Sequence, residues 1–73
     1  MKAVPPYIPV SAVARACGVS HWRGRNMLRR AGILQLLGGH YVVGSSLLRE
    51  RLPDAAERVY AYYVLHPQNG TKL

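Results

Sequence analysis

Residues 10–32 read VSAVARACGVSHWRGRNMLRRAG, and two helices joined by a tight turn are written into them. Val10, Val13, Ala14 and Cys17 fall at i, i+3, i+4 and i+7, one apolar stripe on a first helix that begins at about Pro9 or Val10. Gly18 follows the last periodic residue and suits a helix C-terminus. Ser20 suits the N-cap of a second helix running from about His21 to Ala31, with Gly24, Met27, Leu28 and Ala31 as its inward stripe and Gly32 closing it. Gly18-Val19-Ser20 then supplies a turn glycine, a buried apolar plug and a cap, which describes a helix-turn-helix. Ala14 is small enough to let the two helices cross closely.

The outer face of the second helix carries Trp22, Arg25, Asn26 and Arg29, flanked by Arg23 and Arg30. A helix lying in the major groove of DNA reads base edges with its N-terminal half and meets phosphates with its flanks. The base-reading candidates are therefore His21, Trp22, Arg25 and Asn26, with Arg25 suited to guanine and Asn26 to adenine. The phosphate candidates are Arg15, Ser20, Arg23, Arg29 and Arg30. A charge run on a helix is most often just a solvated face. Three features weigh against that here. The charges have one sign, with no acidic residue before Glu50; the face carries a tryptophan; and the basic helix is the second of the pair. For Trp22 itself, burial against a neighbouring element and contact with DNA both stand as readings.

Outward from this segment, the chain keeps a regular order. Met1 to Pro9 holds Pro5, Pro6 and Pro9 and reads as an extended lead-in over 1–8 before a domain over 9–65. Apolar runs Ile33–Leu36 and His40–Val43 flank Leu37-Gly38-Gly39, the signature of a hairpin whose turn needs positive φ. Its tip is Gly38, Gly39 and His40. A third helix starts at Ser45 or Ser46 and carries Leu47, Leu48 and Leu52. Asp54 and Glu57 have capping-box spacing, with Asp54 as N-cap of a fourth helix reaching about Leu65 and bearing Ala56, Val59, Tyr60 and Tyr63 on one face. Residues 66–73 read as a flexible tail. The expected architecture is mainly α: a helix-turn-helix, a short β-hairpin wing and two further short helices.

Composition narrows the function. The chain has 73 residues, and its 10 Lys+Arg against 3 Asp+Glu give a net charge of +7. Half of it is apolar, so it is no disordered basic tail, and it is too short for a two-lobed enzyme. A dense basic excess on a small folded domain implies a polyanionic partner, double-stranded DNA first. His21, His40 and His66 lie in different elements without metal-ligand spacing, and carboxylates are few, so neither an enzyme nor a metal or cofactor is expected. Cys17 alone excludes an internal disulfide and reads as a buried, inert thiol on the first helix. No apolar run approaches about 18 residues and the first residues lack a signal-peptide core, so the expectation is a cytoplasmic, nucleoid-associated protein of a bacterial host with no membrane contact. No small-molecule effector is expected.

With the elements placed, residues 9–20, PVSAVARACGVS, and 38–52, GGHYVVGSSLLRERL, resemble the excisionase-like, MerR-related winged helix-turn-helix family in register. The first block has that family's apolar pair, alanine and Gly-Val-Ser; the second has its Gly-Gly turn, aromatic strand, small polar N-cap and leucine-bearing helix. The resemblance implies a small phage or bacterial DNA-binding protein, either a recombination directionality factor or a short transcription regulator, with its recognition residues on His21, Trp22, Arg23, Arg25, Asn26 and Arg29 and its wing at Gly38, Gly39 and His40. Gly24 stands where the family usually has a branched apolar residue, so the helices sit closer or the second bends. A recombinase or host protein and further copies of the chain on adjacent sites are the implied protein partners. Tyr60, Tyr62 and Tyr63 have two readings: packing of Tyr60 and Tyr63 inward, or a self-association surface. The alternative function, from a different class, is a small phage-type protein that covers and modulates a host protein through the same scaffold.

Overall fold

The computed structural model of the chain describes residues 4–65; the flexible tail expected over 66–73 lies outside the described residues. In chain order the elements are β1 (Tyr7–Pro9), α1 (Val10–Cys17), α2 (His21–Arg30), β2 (Gln35–Leu37), β3 (His40–Gly44), α3 (Ser45–Arg51) and α4 (Pro53–Leu65). Among the described residues the fold is mainly helical, with four helices and one three-stranded antiparallel sheet of order β1-β3-β2.

Local chemistry sets most of the boundaries. Pro9 sits at φ −64°, ψ 148°, the extended conformation at the N-cap of α1. Gly18 ends that helix at φ 69° and donates its N–H to the carbonyls of Ala14 and Arg15. The Ser20 hydroxyl accepts from the Arg23 N–H at 3.2 Å, capping α2 as its sequence position predicts. Gly38 and Gly39, at φ 58° and 83°, form a two-residue turn that pairs Leu37 with His40. Positive φ at both turn residues matches the twist of the flanking strands, and glycine adopts it without strain.

The layers meet on one core. α1 packs against α2 on one side and α4 on the other, and α4 also covers α3. The side chains of Ile8, Val10, Val13, Leu28, Val43, Leu48 and Val59 are sealed from solvent, each contributing about 1.5–3 kcal/mol relative to exposure. They come from six of the seven elements, all but β2. At the crossing of α1 and α2, Gly24 faces Ala14 so closely that a Cβ on Gly24 would lie 3.1 Å from the Ala14 Cβ. Of the two outcomes expected for a glycine there, the contact is the close approach.

Several expectations are corrected. Tyr7–Pro9 is a paired strand rather than only a lead-in: Ile8 aligns with Val43, and the Ser45 N–H donates to the Pro6 carbonyl at 2.9 Å. Val19 is half-buried and not the sealed plug of the turn; its N–H instead bonds the Ala14 carbonyl at 3.0 Å. The first hairpin strand starts at Gln35, because Ile33 drops into the core and its N–H closes back onto the Leu28 carbonyl at 3.1 Å. α3 starts at Ser45, as expected, but takes Gly44 rather than the small polar N-cap that the resemblance implies, with no side-chain cap bond. α4 begins at Pro53, so Asp54 lies in its first turn instead of capping it. Proline fits the first helical position because its missing N–H would find no helical acceptor there, and Asp54 still favours the positive end of the helix dipole. The same proline restrains Leu52, which sits at φ −134°, ψ 70° between α3 and α4.

Candidate nucleic-acid interface

α2 presents the basic face. His21, Trp22, Arg23, Arg29 and Arg30 are exposed, as is Arg15 on α1, while Arg25 and Asn26 are half-buried. Trp22 is 62% exposed, which removes the reading in which it packs against a neighbouring element. Gly24 and Leu28, one turn apart on the inward face of α2, are buried.

The outer residues fall into two groups. Trp22, Asn26, Arg29 and Arg30 stand at i, i+4, i+7 and i+8, and with Arg23, Met27, Ala31 and Leu52 they line an open groove of about 740 Å³ between α2 and the C-terminal end of α3. Arg25 is turned about 100° from Asn26 and leans to the other side. There its guanidinium carbon lies 5.2 Å from the centroid of the Tyr41 ring on β3. The hairpin is thereby brought beside the basic helix. Gly38, Gly39 and His40 are exposed at its tip, next to Leu36 and Leu37 at 64% and 51% exposure. No arginine or lysine occurs from Ala31 to Leu48, so the hairpin is apolar rather than cationic.

The arginines divide by what they touch. Arg49 lies 5.4 Å from the Tyr60 centroid, and its Nε donates to the Tyr60 hydroxyl at 3.4 Å. An Arg51 guanidinium N–H donates to the Ala31 carbonyl at 3.4 Å, tying α3 to the C-terminus of α2. By contrast, the side chains of Arg15, Arg23, Arg29 and Arg30 meet no hydrogen-bonding, ionic or aromatic partner among the described residues. Arg29 and Arg30, in the last turn of α2, also suit the negative end of its dipole. All three carboxylates, Glu50, Asp54 and Glu57, sit on α3 and α4, so the charge is polarised along the chain.

The tyrosines of α4 are engaged within the chain. Tyr63 is buried, and burial first, then the neighbouring Tyr62, pushes its phenol above the usual range. This takes Tyr63 out of an outward self-association surface; Tyr60 and Tyr62 are half-buried against the core. Tyr62 meets Tyr63 edge to face, at 5.8 Å and 86°. Cys17 is half-buried; burial raises its thiol pKa and the Arg58 charge partly opposes that, which leaves a protonated and unreactive thiol at neutral pH. Among the described residues no three His, Cys, Asp or Glu side chains come together, and no helix is long and apolar enough to cross a membrane.

The sequence pattern singles out the α2 face but not the roles of Tyr41, Arg49 and Arg51. Each acts across elements, joining residues 11 to 20 positions apart, so no local pattern in the sequence marks them. Compared with protein-family models, curated proteins and solved structures, the chain matches none.

Proposed function

We propose that this chain is a winged helix-turn-helix that binds double-stranded DNA, laying α2 in the major groove with the β2–β3 hairpin as the wing beside it. The observation that carries this reading is that the side chains of Arg15, Arg23, Arg29 and Arg30 meet no partner among the described residues, whereas those of Arg49 and Arg51 do. A solvated helix of ordinary kind would mix signs. This one holds an exposed tryptophan among unpaired cations, a combination that suits a phosphate backbone and the base edges beside it. The Ser20 cap and the close Gly24–Ala14 approach support the placing of α2 against α1. As a fold-level analogy, such a domain serves phage and bacterial recombination directionality factors and short transcription regulators; both functions need the same groove contacts.

The test is salt dependence. With about four to six phosphates neutralised by Arg15, Arg23, Arg29, Arg30 and their neighbours, log K for duplex DNA should fall against log salt with a slope of roughly −4 to −5. A flat response at low ionic strength sinks the DNA reading. It transfers the function to a protein partner, for which the exposed Leu36 and Leu37 on the hairpin are the specific observation.

A further inference from the structure

The geometry points to Tyr41 as a positioning residue that holds Arg25 ready to read guanine, making the hairpin a determinant of base specificity. This rests on the DNA-binding reading of α2.

Tyr41 stands on an anchored strand. The two residues after it, Val42 and Val43, are buried and paired with β1, and Tyr41 is paired with β2. Tyr41 itself remains 42% exposed, and its cross-strand neighbour Leu36 flanks it. The Arg25 guanidinium carbon at 5.2 Å from the ring centroid is within stacking reach. The guanidinium carbon lies over the ring face. The N–H groups of a guanidinium lie in its plane and point outward from its edge. Among the described residues they meet no protein acceptor.

The second arginine–tyrosine pair is a useful contrast. Arg49 stacks on Tyr60 at a similar distance but also donates its Nε to the Tyr60 hydroxyl, so that pair is closed on itself. The Arg25–Tyr41 pair is open. Two parallel in-plane donors match the O6 and N7 acceptors of guanine in the major groove, which no other base presents together. An unrestrained arginine must lose its rotamer freedom when it binds. One stacked on a core-anchored ring has lost part of it on folding, which favours the directed contact over a diffuse phosphate contact.

The experiment selects a duplex from a randomised library with the wild-type chain. Binding is then measured to that duplex, to versions with each guanine replaced, and to random-sequence duplex. Wild type should prefer guanine at one position, and Arg25→Lys should lose that preference by fivefold or more while keeping its affinity for random duplex, on the order of one base contact. Tyr41→Leu should lower the guanine preference about two- to fivefold, with the salt slope and the random-duplex affinity unchanged. Tyr41→Phe, which keeps the ring, should retain it, and thermal melting of each variant separates loss of reading from loss of fold. If Tyr41→Leu keeps the full preference while Arg25→Lys loses it, the positioning role is overturned. If Tyr41→Leu binds more tightly, the ring was holding Arg25 away from DNA, which overturns it as well. Should the wild type bind no duplex at all, the DNA reading itself fails and takes this inference with it.

Discussion

Gly24 offers the sharpest test of how the basic helix is held. A Cβ at this position would stand 3.1 Å from the Ala14 Cβ, 3.3 Å from its Cα and 3.5 Å from its backbone nitrogen. Carbon atoms in ordinary contact lie about 3.5–4.0 Å apart. None of the three neighbours is the end of a flexible side chain, so no rotamer change relieves the crowding. The helices must separate by a few tenths of an ångström, disturbing Val13 and Leu28 behind them. Over-packing of this kind costs about 1–3 kcal/mol. The alanine returns about 1 kcal/mol of helix propensity. Gly24→Ala should therefore be destabilised by about 1 kcal/mol net, seen as a fall in melting temperature of about 4–8 °C for a domain this size. Gly24→Val, bulkier and β-branched, should lose more than twice that. Urea denaturation followed by far-ultraviolet circular dichroism gives the free energies. A cycle with Ala14→Gly should show coupling, because removing the Ala14 methyl makes room for the new one. The reasoning is refuted if Gly24→Ala gains the full propensity term and melts higher than wild type, since that would mean the two helices have slack between them.

Other outcomes follow from the same packing. Leu28→Ala, at a position with no solvent exposure, should destabilise the fold by about 2–5 kcal/mol in the same denaturation assay, whereas Asn26→Ala, on the groove face of α2, should leave stability nearly unchanged and weaken binding to the selected duplex. Folding raises the pKa of the Cys17 thiol and the Tyr63 phenol, so the native state holds protons more tightly than the unfolded chain. That contribution is present below the ordinary thiol and phenol values and is lost as pH rises through the folded ones. Stability measured by denaturation should decline through the alkaline range, and Cys17→Ala should remove the earlier part of the decline.

The features legible in the sequence are those decided within a turn or two of the chain. The stripe of Val10, Val13 and Ala14, the αL glycine at 18, the Ser20 cap and the Gly38-Gly39 turn each follow from a residue's own conformational preference or from its near neighbours. The boundaries that moved did so where two preferences compete. Asp54 is a fine cap, but Pro53 is better still as a first helical residue, and it takes the start of α4 with it. The start of α3 at Ser45 agrees with the expected one, and the Ser45 N–H is satisfied by the Pro6 carbonyl, from a residue far back in the chain. In the basic face, the identity of the outward residues was legible from helical periodicity alone. Their division into a groove set and a single arginine leaning on the hairpin was not, because it depends on where Tyr41 arrives from a different element.

The pairing of β1 with the hairpin also governs how the sheet ends. An open sheet exposes two edges, and each is a template on which a foreign strand can grow. On one side the outermost strand is Tyr7–Pro9, only three residues long and closed by a proline that has no N–H to offer; Pro6 and Pro5 precede it. An incoming chain finds almost no donors there. On the other side the edge is Gln35–Leu37, equally short, ended by a left-handed glycine turn that an added strand cannot follow in register. Its two exposed leucines make it the stickier of the two edges, and the excess of seven positive charges is the remaining guard against stacking of copies. An anion that neutralises those charges removes that guard, so the same polyanion that would engage α2 also sets the concentration at which the chain stays dispersed.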